Sequence, residues 1–283
     1  MKNQKLFVLF LFAFFSMSLT VTVFAQTKPL IKRTNYKTET VEFGVGGTIS
    51  IVGAPNGSIK VEGWQKNVVE ITAEVETQAA NETDLATLAK INGFVIEDDF
   101  GHLRITSIGT HDKDYVKRVA KKLPKNLLAM PFRIDYVVKV PVYSDVTIDG
   151  GKGDLTVSNV EGALRINYLE SNVRLNLVGG SLVATVGKGL VEIVIPNRSW
   201  RGRSVDMQLA SGDLSVQMPL NLNAHIDAKV LRGGQIENAL TNLKPRDRTK
   251  FTEKSIIARA GNGGAAFSFT VGDGNLKLFE TGK

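Results

Sequence analysis

His102, His111 and His225 are the only imidazoles in the chain, and no cysteine accompanies them. Thiolate nucleophiles, disulfides, cysteine-ligated zinc, iron–sulfur clusters and a lipid-modified N-terminal cysteine are therefore excluded, and the histidines lie too far apart in sequence to form a local set. His111-Asp112-Lys113-Asp114 has residue types suited to a metal or an acid–base pair, but it precedes a helical pattern, where carboxylates cap free backbone N–H groups. Glu97-Asp98-Asp99 closes a strand-like run before Gly101, and adjacent acids on a strand alternate sides instead of converging. Gly150-Gly151-Lys152-Gly153-Asp154-Leu155 looks like a calcium-binding glycine–aspartate nonapeptide. It lacks a residue between the last glycine and the aspartate, and the corresponding later positions are Ala163, Asn172, Ser181 and Leu190. The glycines of 261–264 and 272–274 have no strand-to-helix context and no following Gly-Lys-Ser/Thr, and no serine sits in a Gly-x-Ser-x-Gly frame. No catalytic residue, cofactor or metal is expected.

The sharpest cluster of charge is cationic. Lys117, Arg118, Lys121, Lys122 and Lys125 oppose an apolar stripe of Val116, Val119, Ala120 and Leu123, which predicts a helix over 112–123 with a basic outer face. Such a face contacts acidic envelope polymers or lipid headgroups, or it solvates a helix that covers the core. Nucleic acid is not expected, because no aromatics alternate with the cations. Trp64, Tyr143, Tyr168 and Trp200 read as packing over an apolar core and not as sugar-stacking platforms.

The chain has 283 residues, with 35 lysines and arginines against 28 aspartates and glutamates, a formal charge of +7. Residues 1–5 carry Lys2 and Lys5, and 6–24 carry no charge, which is the pattern of an export signal. Val23-Phe24-Ala25 offers small residues to a signal peptidase, so the mature chain would begin at Gln26. It would then carry 33 basic and 28 acidic residues, a charge of +5. The mature protein is expected outside the cytoplasm, in the periplasm, at the cell surface or in the medium, with no transmembrane segment after cleavage.

The elements that must position any site announce themselves by a period. Ser144, Gly153, Gly162, Ser171, Gly180 and Gly189 recur every nine residues. Two places after each lie Val146, Leu155, Leu164, Val173, Leu182 and Val191; four places after lie Ile148, Val157, Ile166, Leu175, Ala184 and Ile193. The residue between them is polar in five of six cases, the alternation of a strand with one buried face. A hairpin meander and a β-solenoid both fit such a unit. The solenoid is favoured, because a fixed small-residue period keeps stacked corners aligned. A five-residue strand spans roughly 17 Å, so nine residues cannot encircle a core, and a coil needs two units or three. With two, Arg174 and Glu192 become neighbours on adjacent coils.

Similar alternation continues upstream at 48–52, 58–62 and 68–75 and downstream at 204–209, 213–218, 224–230, 266–271 and 275–279. Residues 79–130 interrupt it, with a capped helix after Asn81, a strand pair at 94–96 and 103–105, and the basic helix. Residues 238–254 read as a loop, and 26–36 as the loose start of a leader.

The run 138–195, the segment 47–64 and the closing glycine-rich strands 261–264 and 272–278 together resemble the bacterial putative-adhesin family of secreted repeat domains. The resemblance covers most of 44–282 and implies a β-solenoid-like fold outside the cytoplasm, with no catalytic residues; the insertion inherits nothing from it. The expected organisation is a signal peptide at 1–25, a leader at 26–43, and one all-β domain at 44–283. That domain is a solenoid-like stack of short strands with a nine-residue repeat and a small, mostly helical insertion at about 79–130. The expected function is an exported, non-enzymatic, adhesin-like or scaffold domain that contacts an envelope or extracellular polymer or a protein partner. The alternative is a carbohydrate-active enzyme on a β-helix, which would stack acids at one outward position of successive coils. That column reads Thr147, Thr156, Arg165, Arg174, Val183 and Glu192.

Overall fold

The computed structural model describes residues 29–119, 123–196, 201–246 and 248–281. Residues 1–25, expected as the signal, lie outside them. The described chain is all-β apart from two short α-helices and one 3₁₀ turn. It opens with β1 (Ile31–Glu42), β2 (Thr48–Val52), β3 (Ile59–Trp64) and β4 (Val68–Ala79). Next come α1 (Glu82–Ile91), β5 (Gly93–Asp99), β6 (His102–Ile108), α2 (Lys113–Val119), the 3₁₀ turn Lys125–Ala129 and β7 (Phe132–Pro141). The central block contains β8 (Asp145–Lys152), β9 (Leu155–Ser158), β10 (Ala163–Glu170), β11 (Val173–Asn176), β12 (Gly179–Lys188) and β13 (Val191–Val194). After it run β14 (Arg201–Ser211), β15 (Leu214–Met218), β16 (Ala224–Val230), β17 (Ile236–Asn238), β18 (Leu243–Pro245), β19 (Ser255–Ala260), β20 (Ala265–Asp273) and β21 (Leu276–Glu280).

Among the described residues these strands make two large sheets, neither closed into a barrel. One runs β1-β4-β7-β3-β9-β11-β13-β15-β21-β17 and the other β18-β19-β16-β20-β14-β12-β10-β8-β2-β6-β5. Successive strands of the central block alternate between the sheets, and each pairs in parallel with strands eighteen residues away. Leu164 lies opposite Val146 and Leu182, and Val173 opposite Leu155 and Val191. The twelve apolar residues of the alternating pattern all face the shared core, each at most 2% exposed. Burying each Val, Leu or Ile stabilises the fold by roughly 1.5–3 kcal/mol.

The small residues occupy two columns of turns where successive levels of the chain touch. A Cβ built on Gly162 would lie 2.0 Å from the Ser144 carbonyl oxygen. At Gly189 φ is +144° and a Cβ would lie 1.8 Å from the Ser171 carbonyl oxygen, so only glycine fits both the backbone and the space.

Chain order and spatial order part company at both ends. β6 and β7 stack outside β2 and β3, which came earlier. At the other end β20 pairs in parallel with both β14 and β16, and β21 with both β15 and β17. The last two strands therefore sit between strands made before them.

Three expectations about the connecting segments are corrected. Residues 26–43, expected as a leader with a loose start, contain β1, which pairs antiparallel with β4 from Ile31 opposite Ala79 to Glu42 opposite Val68. Its polar side chains reflect an edge strand, held by backbone hydrogen bonds and not by burial. The 79–130 insertion is less helical than expected, because its hairpin joins a sheet: β6 pairs with β2, burying Phe94, Leu103 and Ile105. α1 does cover core, with Leu85 and Leu88 each 1% exposed against Leu127, and Asn81 caps it by accepting the Asp84 N–H at 2.9 Å. Residues 238–254, expected as a loop, contain β18, and Leu240 is buried there.

Candidate functional site

Outward side chains of the ten-stranded sheet form a groove of about 620 Å³ across β9, β11, β13, β15 and β21. Its floor follows from register. Thr156, Arg174, Glu192, Ser215 and Lys277 are successive cross-strand partners, each one place from a buried residue and so turned to solvent. One wall comes from the turns that enter these strands, with Asp154, Asn172, Leu190 and Asp213; the other carries Gln217 and Phe279.

The polar groups of the groove hold one another in place. Arg174 Nε donates to Glu192 Oε2 at 3.0 Å, and Gln217 Nε2 donates to Glu192 Oε1 at 3.2 Å, so both carboxylate oxygens are engaged. Asn172 Nδ2 donates to Asp154 Oδ1 at 3.1 Å. Asp213 Oδ1 accepts the Asn275 backbone N–H at 2.8 Å, and Lys277 pairs with Glu237 at 3.3 Å. Leu190 is exposed and the Phe279 ring half-buried, so apolar surface flanks a charged floor. A cleft of this size with a few fixed polar groups is suited to binding.

The structure scatters the residues that the sequence singled out. Lys117 and Arg118 are exposed on α2, Lys125 is exposed on the 3₁₀ turn, and Lys121 and Lys122 lie outside the described residues. α2 is described over Lys113–Val119, inside the expected 112–123 helix, and buries none of its described side chains; Val119 is 57% exposed. Lys117 Nζ hydrogen-bonds Asp114 at 2.9 Å, which holds that carboxyl below its ordinary value. Asp112 acts as the cap expected of it, accepting the backbone N–H groups of Asp114 and Tyr115. His111 stacks on Phe132, His102 lies beside Ser50 on the other sheet, and His225 is on β16, so the three imidazoles stay apart.

Of the aromatics, Trp64 donates its Nε1–H to the Val68 carbonyl and carries Lys66 and Lys139 over its ring. Tyr168 is buried, Tyr143 is exposed at a turn, and Trp200 lies outside the described residues. Trp64, Tyr143 and Tyr168 do not line the groove; among the described residues the aromatic that does is Phe279. Asp154 and Asn172, eighteen residues apart at equivalent turn positions, were the available sequence signal for the groove wall. Nothing in sequence placed Lys277 or Phe279 beside β15.

No family model matches the sequence, and no curated protein does. Solved structures do resemble it. A putative cell adhesion protein from Clostridium sporogenes superposes with a TM-score of 0.50 at 11% identity, over 88% of this chain and 100% of that one. This chain shares that protein's fold. A putative adhesin from Bacteroides fragilis has a TM-score of 0.35 at 10% identity, over 87% of this chain and 97% of its own. A putative lipid binding protein from Parabacteroides distasonis has a TM-score of 0.24 at 10% identity, over 88% and 97%. The adhesin resemblance seen in the glycine-started strands agrees with the fold shared with the Clostridium sporogenes protein. Among the described residues, no helix is long and apolar enough to cross a membrane.

Proposed function

We propose that the mature protein is an exported, adhesin-like module that binds an envelope or extracellular polymer in the groove without cleaving it. The observation that carries this reading is the mutual engagement of the groove's polar side chains. Both oxygens of Glu192 are tied to Arg174 and Gln217, and Asp154 and Asp213 each accept from an asparagine. A glycosidase of the usual kind needs one carboxyl free to give a proton and another free to attack or activate water. Fixed, paired groups instead present a ready-made hydrogen-bonding surface, which lowers the entropic cost of binding.

The scaffold under this reading is a solenoid of eighteen-residue coils, each built from two nine-residue units. The parallel registers at eighteen residues and the two stacked turn columns support it. The organisation proposed is a signal at 1–25 followed by one domain, the 26–43 segment contributing its edge strand. A second contact is favoured by exposed Val119 beside Lys117 and Arg118 on α2 and by exposed Leu128 near Lys125 on the 3₁₀ turn. Apolar side chains among cations fit an acidic polymer or an anionic lipid surface. Changing Lys117, Lys121 and Lys125 together to Gln should reduce salt-sensitive retention on anionic vesicles.

The test of the main reading is a screen of purified mature protein against host and envelope glycans, scored for both retention and reducing-end release. Retention without release, lost when Ser215→Tyr fills the groove floor, is the expected result. Steady appearance of new reducing ends would make the protein an enzyme.

A further inference from the structure

Resting on the groove reading above, we infer that the ligand is an extended, uncharged glycan lying across the strands, one sugar ring to each strand. Neighbouring strands stand about 4.8 Å apart, close to the advance of one pyranose ring in an extended β-linked chain. The floor Thr156, Arg174, Glu192, Ser215 and Lys277 repeats at this interval over five strands, so the groove is about 19 Å long. It offers a polar group at each step.

Charge selects against an acidic chain. Asp154, Glu192 and Asp213 line the groove against Arg174 and Lys277, and both cations already face carboxylates, Glu192 at 3.0 Å and Glu237 at 3.3 Å. Uronate or sulfate groups would meet an excess of negative charge. Neutral hydroxyls suit the groups present: Arg174 can donate to them, Glu192 can accept from them, and Asn172, Gln217, Ser215 and Thr156 can do both. Phe279 and Leu190 flank the floor with apolar surface for the C–H faces of the rings. A peptide would be read by an open strand edge or a deep apolar pocket, whereas this groove crosses the face of paired strands.

The test is calorimetric titration of the mature protein with β-1,4-linked oligomers of glucose, mannose and N-acetylglucosamine from two to six rings, with polygalacturonate in parallel, at low and high salt. One neutral series should tighten with each ring up to about five and then level, one ring per strand spacing, with little change on adding salt. Phe279→Ala should weaken it at least tenfold and Phe279→Tyr should restore it. Ser215→Tyr, which removes no packed ring, should abolish binding with the denaturation midpoint unchanged. Salt-sensitive binding of polygalacturonate alone, lost in Ser215→Tyr, would overturn the neutral ligand while leaving polymer binding in the groove standing. Neutral binding indifferent to Phe279→Ala and Ser215→Tyr would overturn the groove assignment. Failure of every polymer, neutral and acidic, would overturn the proposed function itself.

Discussion

Gly189 shows how little freedom the turn columns leave. Its φ of +144° and the 1.8 Å that would separate a Cβ from the Ser171 carbonyl oxygen combine a backbone penalty with a steric one. Gly189→Ala should cost about 3 kcal/mol in a guanidinium titration. Gly44→Ala, where a Cβ meets nothing within 4 Å, should stay within about 0.5 kcal/mol. Equal midpoints would mean that the columns are not in contact. Asp135 makes a different kind of joint. Burial pushes its carboxyl upward, but the Ser58 backbone N–H at 2.7 Å, the Ser58 hydroxyl at 2.8 Å and Arg133 outweigh burial and hold it below the ordinary value. A carboxyl depressed in the folded state stabilises above its unfolded pKa, and that contribution disappears as pH falls through the folded pKa. Stability should therefore decline as pH drops below about 4, and Asp135→Asn should flatten the decline. Urea midpoints between pH 6 and 2.5 would show this; an unchanged slope in the variant would remove Asp135 from the account.

The strands of the central block could be read from sequence because a two-residue alternation and a buried face are one fact seen twice: Val173 and Leu175 point in, and Arg174 points out. β1 could not be read, since Ile31–Glu42 is an edge strand whose side chains are mostly polar on both faces. α2 was read from the apolar stripe of Val116, Val119, Ala120 and Leu123, and among the described residues Val119 stands 57% exposed, so the stripe does not bury there as expected. The groove escaped for a topological reason. Lys277 and Phe279 lie more than sixty residues beyond Ser215 and Gln217, and only the insertion of β21 beside β15 brings them together. That insertion makes β20 and β21 more than a terminal addition. Ending the chain at Gly264 should take one parallel neighbour from each of four strands, leaving β16 and β17 with none and β14 and β15 with exposed edges, giving an aggregating or protease-sensitive product. Removing β1 strips one edge only and should be far milder. Similar protease resistance of the two truncations would show that the inserted strands carry no special weight.

The molecule as a whole combines a long stack of non-local pairings with an N-terminus proposed to direct export. Intact mass of protein recovered from periplasm or medium should correspond to a chain starting at Gln26, with or without cyclisation to pyroglutamate. Recovery in membranes alone with residues 1–25 retained would refute the cleavage. If the chain does cross a membrane N-terminus first, the seating of β20 and β21 between β14 and β16 and between β15 and β17 acquires a temporal meaning. These two seats, near one end of the stack, stay vacant until residues 265–280 arrive. Before that moment the strands up to β15 can already pair with one another, while β16 and β17 have no parallel neighbour to hold them. Arrival of β20 and β21 then ties β16 and β17 to the rest, so this late step is an insertion between strands already made and not an addition at an open edge.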